Sequence, residues 1–142
     1  MEVSIEVLEG GKAPEYKRVG DACMDCYAHL KKPVWLFRWG KTKKIPLGFK
    51  LDIPWGYEAE TRSRSGNSLN DLKVDFGCID QTFTGELNAI LYTRKLIQIV
   101  RPGDRVCQLK LMPTTFVQWN KVEKITKETV RGENGFGSSG KR

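Results

Sequence analysis

The chain reads as an all-β domain of antiparallel strands, arranged as a sandwich or a barrel. Three observations lead there. Apolar residues alternate along most segments instead of recurring every 3.6 residues. Gly and Pro turns separate these short stretches, as they do in antiparallel β folds. The 142 residues suffice for one domain with a real core and are too few for two ordinary ones.

In chain order, Val3, Ile5 and Val7 lie on one side of a first strand. Ile45, Leu47, Phe49, Leu51 and Ile53 form the longest alternation, and Pro54-Trp55-Gly56 ends it with a turn signal. Leu87, Ala89 and Leu91 face one way in a further strand, and Ile97 and Ile99 follow. Pro102-Gly103-Asp104 then turns the chain into Val106 to Met112, where Cys107, Leu109 and Leu111 share a face. Only Ser68 to Leu72 reads as a helical turn. There is no internal repeat or linker. A β domain over 1–130 and a Gly/Ser-rich tail over 131–142 are expected.

Lys and Arg number 24 against 17 Asp and Glu, a formal net charge of +7. Such an excess suggests a polyanionic partner: nucleic acid, an anionic membrane surface or a phosphorylated small molecule. The excess is local. Residues 31–50 carry Lys31, Lys32, Arg38, Lys41, Lys43, Lys44 and Lys50 and no acid, while the other 17 basic residues face 17 acidic ones. Trp35, Leu36, Phe37 and Trp39 interleave with that charge, as stacking platforms for single strands do. The plainer expectation is that these aromatics pack against a sheet while the lysines stay in water.

No apolar run approaches the roughly 18 residues a membrane span requires, and the acidic start Met1-Glu2 does not resemble a signal peptide. A soluble, cytoplasmic domain without a membrane partner is expected. Cys23 and Cys26 form C-x-x-C, but Cys78 and Cys107 stand alone and His29 is the one histidine, a poor set for zinc. The extended character of residues 23–27 also argues against a redox motif, leaving ordinary buried thiols.

Four segments carry chemistry. Thr61-Arg-Ser-Arg-Ser-Gly66 brings forked guanidinium groups and hydroxyls to the end of a strand, a donor set suited to phosphate oxygens or a plain polar turn. Gly77-Cys-Ile-Asp-Gln-Thr-Phe-Thr-Gly85 places Asp80 in an apolar setting, where a partly buried carboxylate serves as a general base or caps a turn. Gly103-Asp-Arg-Val-Cys-Gln108 sets an amide within a strand. Arg131 to Gly140 sets Phe136 and two serines among glycines, a flexible terminus or a loop able to wrap an anion and a base.

Together with Gly20-Asp-Ala-Cys-Met-Asp25-Cys-Tyr-Ala28, these segments resemble, in order, the five motifs of the trimeric deoxyuridine triphosphatases (dUTPases). The resemblance spans residues 20 to 140 and implies a jelly-roll domain forming a homotrimer with active sites at subunit interfaces. It implies hydrolysis of dUTP to dUMP and pyrophosphate with Mg²⁺ on the triphosphate, keeping uracil out of DNA and supplying dUMP for thymidylate synthesis. A bacterial or a viral or phage source is expected, with no choice between them.

By the same resemblance, Asp80 is the general base toward the water that attacks the α-phosphorus. Arg64, Ser65, Gly66 and Gln108 hold phosphates, and Asp25 supports the magnesium through water. In the tail, Arg131, Gly137, Ser138 and Ser139 grip the terminal phosphate while Phe136 stacks on uracil, the loop closing a neighbouring subunit's site. Gly77, Cys78, Ile79 and Asn88 recognise uracil largely through the main chain, and Phe83 packs under deoxyribose.

Three positions depart from the family pattern. Cys23 stands in place of glycine and predicts a differently shaped first loop. Ser63 replaces proline and predicts a slightly looser turn. Phe83 replaces tyrosine, keeping the ring that excludes a 2′-hydroxyl and losing the phenolic hydrogen bond. The competing readings are a dCTP deaminase relative on the same fold, and a nucleic-acid or protein-binding module that uses residues 31–50.

Overall fold

A computed structural model describes residues 1–130 and 132. Eleven strands and one short helix follow in order among these residues: β1 (Ser4–Val7), β2 (Met24–Tyr27), β3 (Val34–Phe37), β4 (Lys43–Pro46), β5 (Phe49–Asp52), β6 (Tyr57–Arg62), α1 (Ser65–Leu69), β7 (Leu72–Val74), β8 (Gly77–Ile79), β9 (Asn88–Thr93), β10 (Ile97–Val100) and β11 (Arg105–Pro113). Each strand pairing is antiparallel. A four-stranded sheet, β2-β11-β6-β8, and a three-stranded sheet, β4-β9-β7, are joined by two ribbons, β1-β5 and β3-β10. This is the jelly-roll-like, all-β arrangement expected. No helix among the described residues is long and apolar enough to cross a membrane.

Both sheets and both ribbons feed one core. Cys26, Ala59, Cys107 and Leu109 come from the larger sheet, and Ile45, Leu72, Val74 and Leu91 from the smaller. Cys26 and Cys107 are register partners across β2 and β11, fully buried. Contact with Cys107 and burial push the Cys26 thiol far up, so it stays un-ionised. The buried-thiol expectation holds for these two; Cys78 is exposed and Cys23 half-buried.

The longest alternation is fully buried from Ile45 to Ile53, yet it makes two strands rather than one. The break is at Gly48, whose φ of 78° lies in the left-handed region that glycine tolerates. A Cβ there would sit 2.7 Å from Gly11 Cα and 2.9 Å from the His29 ring. Glu86 fixes the kink, accepting from the Gly48 N–H at 3.0 Å while it lies 3.0 Å from His29 Nδ1. The chain thereby passes from β4, on the smaller sheet, to β5, which pairs with β1.

Other expectations need correction. The helical turn is α1 at Ser65–Leu69, three residues earlier than the sequence pattern placed it; α1 buries no residue, so no apolar spacing marks it. Ile5 and Val7 alternate as expected but are exposed. In β10 the buried residue is Val100, whereas Ile97 faces solvent. In the β3 segment Leu36 is buried and Val34 packs partly against the core beside it, whereas Trp35, Phe37 and Trp39 are exposed rather than packed on the sheet.

Candidate active site

Two carboxylate-centred regions emerge, placed by opposite ends of β6. At one end, β8 pairs with β6 through Thr61↔Gly77 to Ala59↔Ile79, which carries Asp80 alongside Glu58. The chain then turns, with the Phe83 N–H donating to the Asp80 carbonyl at 2.9 Å. The turn is thus closed by the main chain. Among the described residues the Asp80 carboxylate accepts no hydrogen bond, which disfavours a capping role and leaves its lone pairs for a ligand or water. Asp80 is exposed, not partly buried as its apolar neighbours suggested.

The groove beside it, about 290 Å³, is lined by Cys78, Ile79, Asp80, Phe83, Asn88 and Lys44, among others. The Phe83 ring lies against Gly85 so closely that a Cβ there would meet Cζ at 2.7 Å, which makes glycine the residue that lets the ring floor the groove. Cys78 donates its thiol to Glu58 Oε2 at 2.8 Å. That bond to Glu58, with burial and nearby carboxylates, raises the thiol to about 11, so it stays protonated at neutral pH. The hairpin residues Cys78, Ile79, Asp80, Phe83 and Asn88 therefore line one groove, with Gly77 next to them in β8, as the family resemblance implies.

At the other end of β6, Asp25 is the centre of a polar cluster. Gln108 stands opposite both Asp25 and Arg62 in the sheet register. Asp25, 4% exposed, accepts from Arg64 Nε at 2.8 Å and Gln108 Nε2 at 3.3 Å on Oδ1. On Oδ2 it accepts from Arg64 Nη2 at 3.4 Å and Arg105 Nη1 at 3.2 Å. Burial pushes this carboxyl up, but the Arg64 guanidinium, aided by Gln108 and Arg105, outweighs it and holds the group below the ordinary range. One anion thus gathers two cations, and a net positive charge faces outward. Ser65 and Gly66 open the adjoining α1 and are exposed.

Arg105 and Asn67 are the residues sequence reasoning missed. Asn67 accepts from Arg64 Nη1 at 3.3 Å and donates to the Arg105 and Val106 carbonyls at 2.8 and 3.3 Å, locking the helix to β11. Arg105 lies in the Gly103–Gln108 segment, and only its contact with Asp25, 80 residues away in the chain, places it in this cluster. Ser63 ties the turn to β7, since its hydroxyl accepts from the Val74 N–H at 2.9 Å and donates to the Val74 carbonyl at 3.3 Å.

The two regions do not meet within one chain. From Glu58 to Arg64 is six residues of extended backbone, on the order of 20 Å. The groove that holds Asp80 includes neither Arg64 nor Gln108. Arg131, Phe136, Gly137, Ser138 and Ser139 lie outside the described residues.

Direct ligation of a metal does not fit this site. Among the described residues no three His, Cys, Asp or Glu side chains cluster to hold an ion, and both Asp25 oxygens are taken by cationic or amide donors.

The family model for dUTPase matches residues 9–140. The chain belongs to the dUTPase family. Its relatives include the deoxyuridine 5'-triphosphate nucleotidohydrolase of Orientia tsutsugamushi strain Boryong, 36% identical over 149 residues and covering 99% of each chain. Among solved structures it is similar to the dUTPase of Staphylococcus bacteriophage 80alpha with dUpNHpp, at a TM-score of 0.86, 25% identity and 98% coverage of both chains. The fold also matches a mutant dUTPase from phage phi11 of S. aureus, at a TM-score of 0.78 and 21% identity, covering 89% of this chain and 100% of that one. That phage structure shows the coordination of a structural Mg(II) ion. Family membership thus spans both carboxylate regions found above.

Proposed function

We propose that the chain hydrolyses dUTP to dUMP and pyrophosphate in sites completed between copies of itself, as a homotrimer. The observation that carries this reading is the Asp80 carboxylate at the mouth of the hairpin groove, without a bonded partner among the described residues, in a chain of dUTPase family membership. Uracil enters the groove between Gly77–Ile79 and Asn88, deoxyribose rests on Phe83, and the α-phosphorus lies near Asp80. Asp80 takes a proton from a water whose oxygen attacks that phosphorus. The bond to the bridging oxygen breaks, and pyrophosphate leaves with the electron pair.

Arg64, Ser65, Gly66 and Gln108 of a neighbouring copy hold the phosphates, because their own Asp80 lies on the order of 20 Å away along β6. Arg105 joins them as a second cation. Asp25 positions these groups rather than touching substrate, and a magnesium-bound water reaches it only by displacing one of its four donors. Magnesium bound together with the substrate would supply charge neutralisation at the triphosphate beside Arg64 and Arg105. The tail, through Arg131, Phe136, Gly137, Ser138 and Ser139, closes over the site and excludes bulk water. The apolar residues Val117, Trp119, Val122, Ile125 and Val130, exposed on the strandless segment after β11, are expected to be covered by a neighbouring copy.

The test is pyrophosphate release from dUTP, dTTP, dCTP and UTP, alongside Asp80→Asn. Cleavage of dUTP alone is expected, with the variant still binding a non-hydrolysable analogue. Equal cleavage of all four nucleotides overturns the reading, and ammonia release from dCTP favours the deaminase alternative. UTP is expected to turn over more than tenfold more slowly than dUTP, since the Phe83 ring remains.

A further inference from the structure

The β3-β10 ribbon lies outside the nucleotide site, and its outer face has a composition the hydrolytic function does not use. Ile97 pairs with Phe37 and Ile99 with Trp35, so these four side chains share one face, opposite the buried Leu36. Trp35 and Phe37 are each 50% exposed, and Trp39, beyond the strand, is 83% exposed. The two loops at this end are tied together by the Arg38 N–H donating to the Leu96 carbonyl at 3.3 Å. That tie sets Arg38 opposite Leu96, next to Lys95 in the chain, and Lys41 and Arg94 lie within three residues of these along the same two loops. Among the described residues none of these four cations pairs with an acid. Arg38 sits 5.7 Å from the Trp39 ring centroid, extending the flat surface with a guanidinium plane.

We propose that this ribbon binds single-stranded nucleic acid. Trp35 and Phe37, two residues apart on a strand, stand about 7 Å from each other, and each offers a π face on which a base can stack. The uncompensated cations at the tip supply the phosphate contacts, whose release of counterions drives binding. Charge complementarity favours a polyanion, and the exposed rings favour one that carries flat bases over an acidic polypeptide.

The probe is a fluorescently labelled oligothymidylate of roughly 20 nucleotides, longer than the usual single-strand site of about 4–16. Added to the full-length protein at low salt, it should bind with an affinity that falls with salt by a logarithmic slope of about −0.7 per phosphate contacted. Trp35→Ala with Trp39→Ala should weaken binding at least tenfold, and Lys41→Gln with Lys95→Gln should flatten the salt slope. Both variants should hydrolyse dUTP normally, and excess dUpNHpp should not displace the probe. No binding at low salt overturns the proposal, as does unchanged affinity in the double tryptophan variant. Equal competition by polyglutamate also overturns it, and points to an acidic protein instead. Displacement by dUpNHpp overturns it by assigning the probe to the nucleotide groove.

Discussion

Asp80 and Asp25 are carboxylates at opposite ends of one strand, and their surroundings are opposite too. Asp80 is exposed, and among the described residues its side chain accepts no bond. Asp25 is buried, with both oxygens engaged by Arg64, Arg105 and Gln108. A carboxylate free of partners can take up a proton from a bound water, whereas a saturated one can only fix the position of what surrounds it. The same side chain thus serves chemistry at one end of β6 and architecture at the other.

Substitutions separate the two roles. The largest effect belongs to Asp80→Asn, which should lower kcat by about 10²–10⁴-fold while leaving thermal stability and analogue binding near normal. A comparable loss of melting temperature would erase the distinction. Asp25→Ala should instead destabilise the fold by about 3 kcal/mol, because two guanidinium groups lose their buried partner. Differential scanning calorimetry would register this as a fall of about 10 °C.

Arg105→Gln is a finer probe. It should raise KM for dUTP about tenfold, the worth of one charge-assisted contact, with a smaller change in kcat. A normal KM would remove Arg105 from the phosphate cluster. The smallest effect is in pH. The Asp25 carboxyl titrates below its ordinary value in the folded state, so its contribution is present above the unfolded pKa of about 4 and lost as pH falls through the lower, folded value. Melting temperature should therefore drop as pH falls below about 4, and Asp25→Asn should show a shallower drop.

The contrast also marks how far the sequence is informative. The hairpin from Gly77 to Asn88 is continuous in the chain, so a motif resemblance within one stretch of sequence sufficed to group Asp80, Phe83 and Asn88, which share one groove. The Asp25 cluster joins residues 25, 64, 105 and 108, and only tertiary pairing of β2, β11 and β6 shows that Arg105 belongs to it. Alternation located the core strands but not the break at Gly48, because Ile45, Leu47, Phe49 and Leu51 keep the same parity on both sides of the kink. In β3, Leu36 is flanked by Trp35 and Phe37, apolar on both faces, so the pattern could not say which face turned inward.

The central claim is that Asp80 and the Arg64–Gln108 cluster serve the same reaction from different copies of the chain. Mixing Asp80→Asn protein with Gln108→Ala protein, each inactive alone, tests it directly once native mass spectrometry confirms mixed oligomers. Recovery of dUTP hydrolysis on mixing is predicted, since some interfaces then join an intact Asp80 to an intact Gln108. Mixed oligomers that remain as inactive as the separate variants would contradict it.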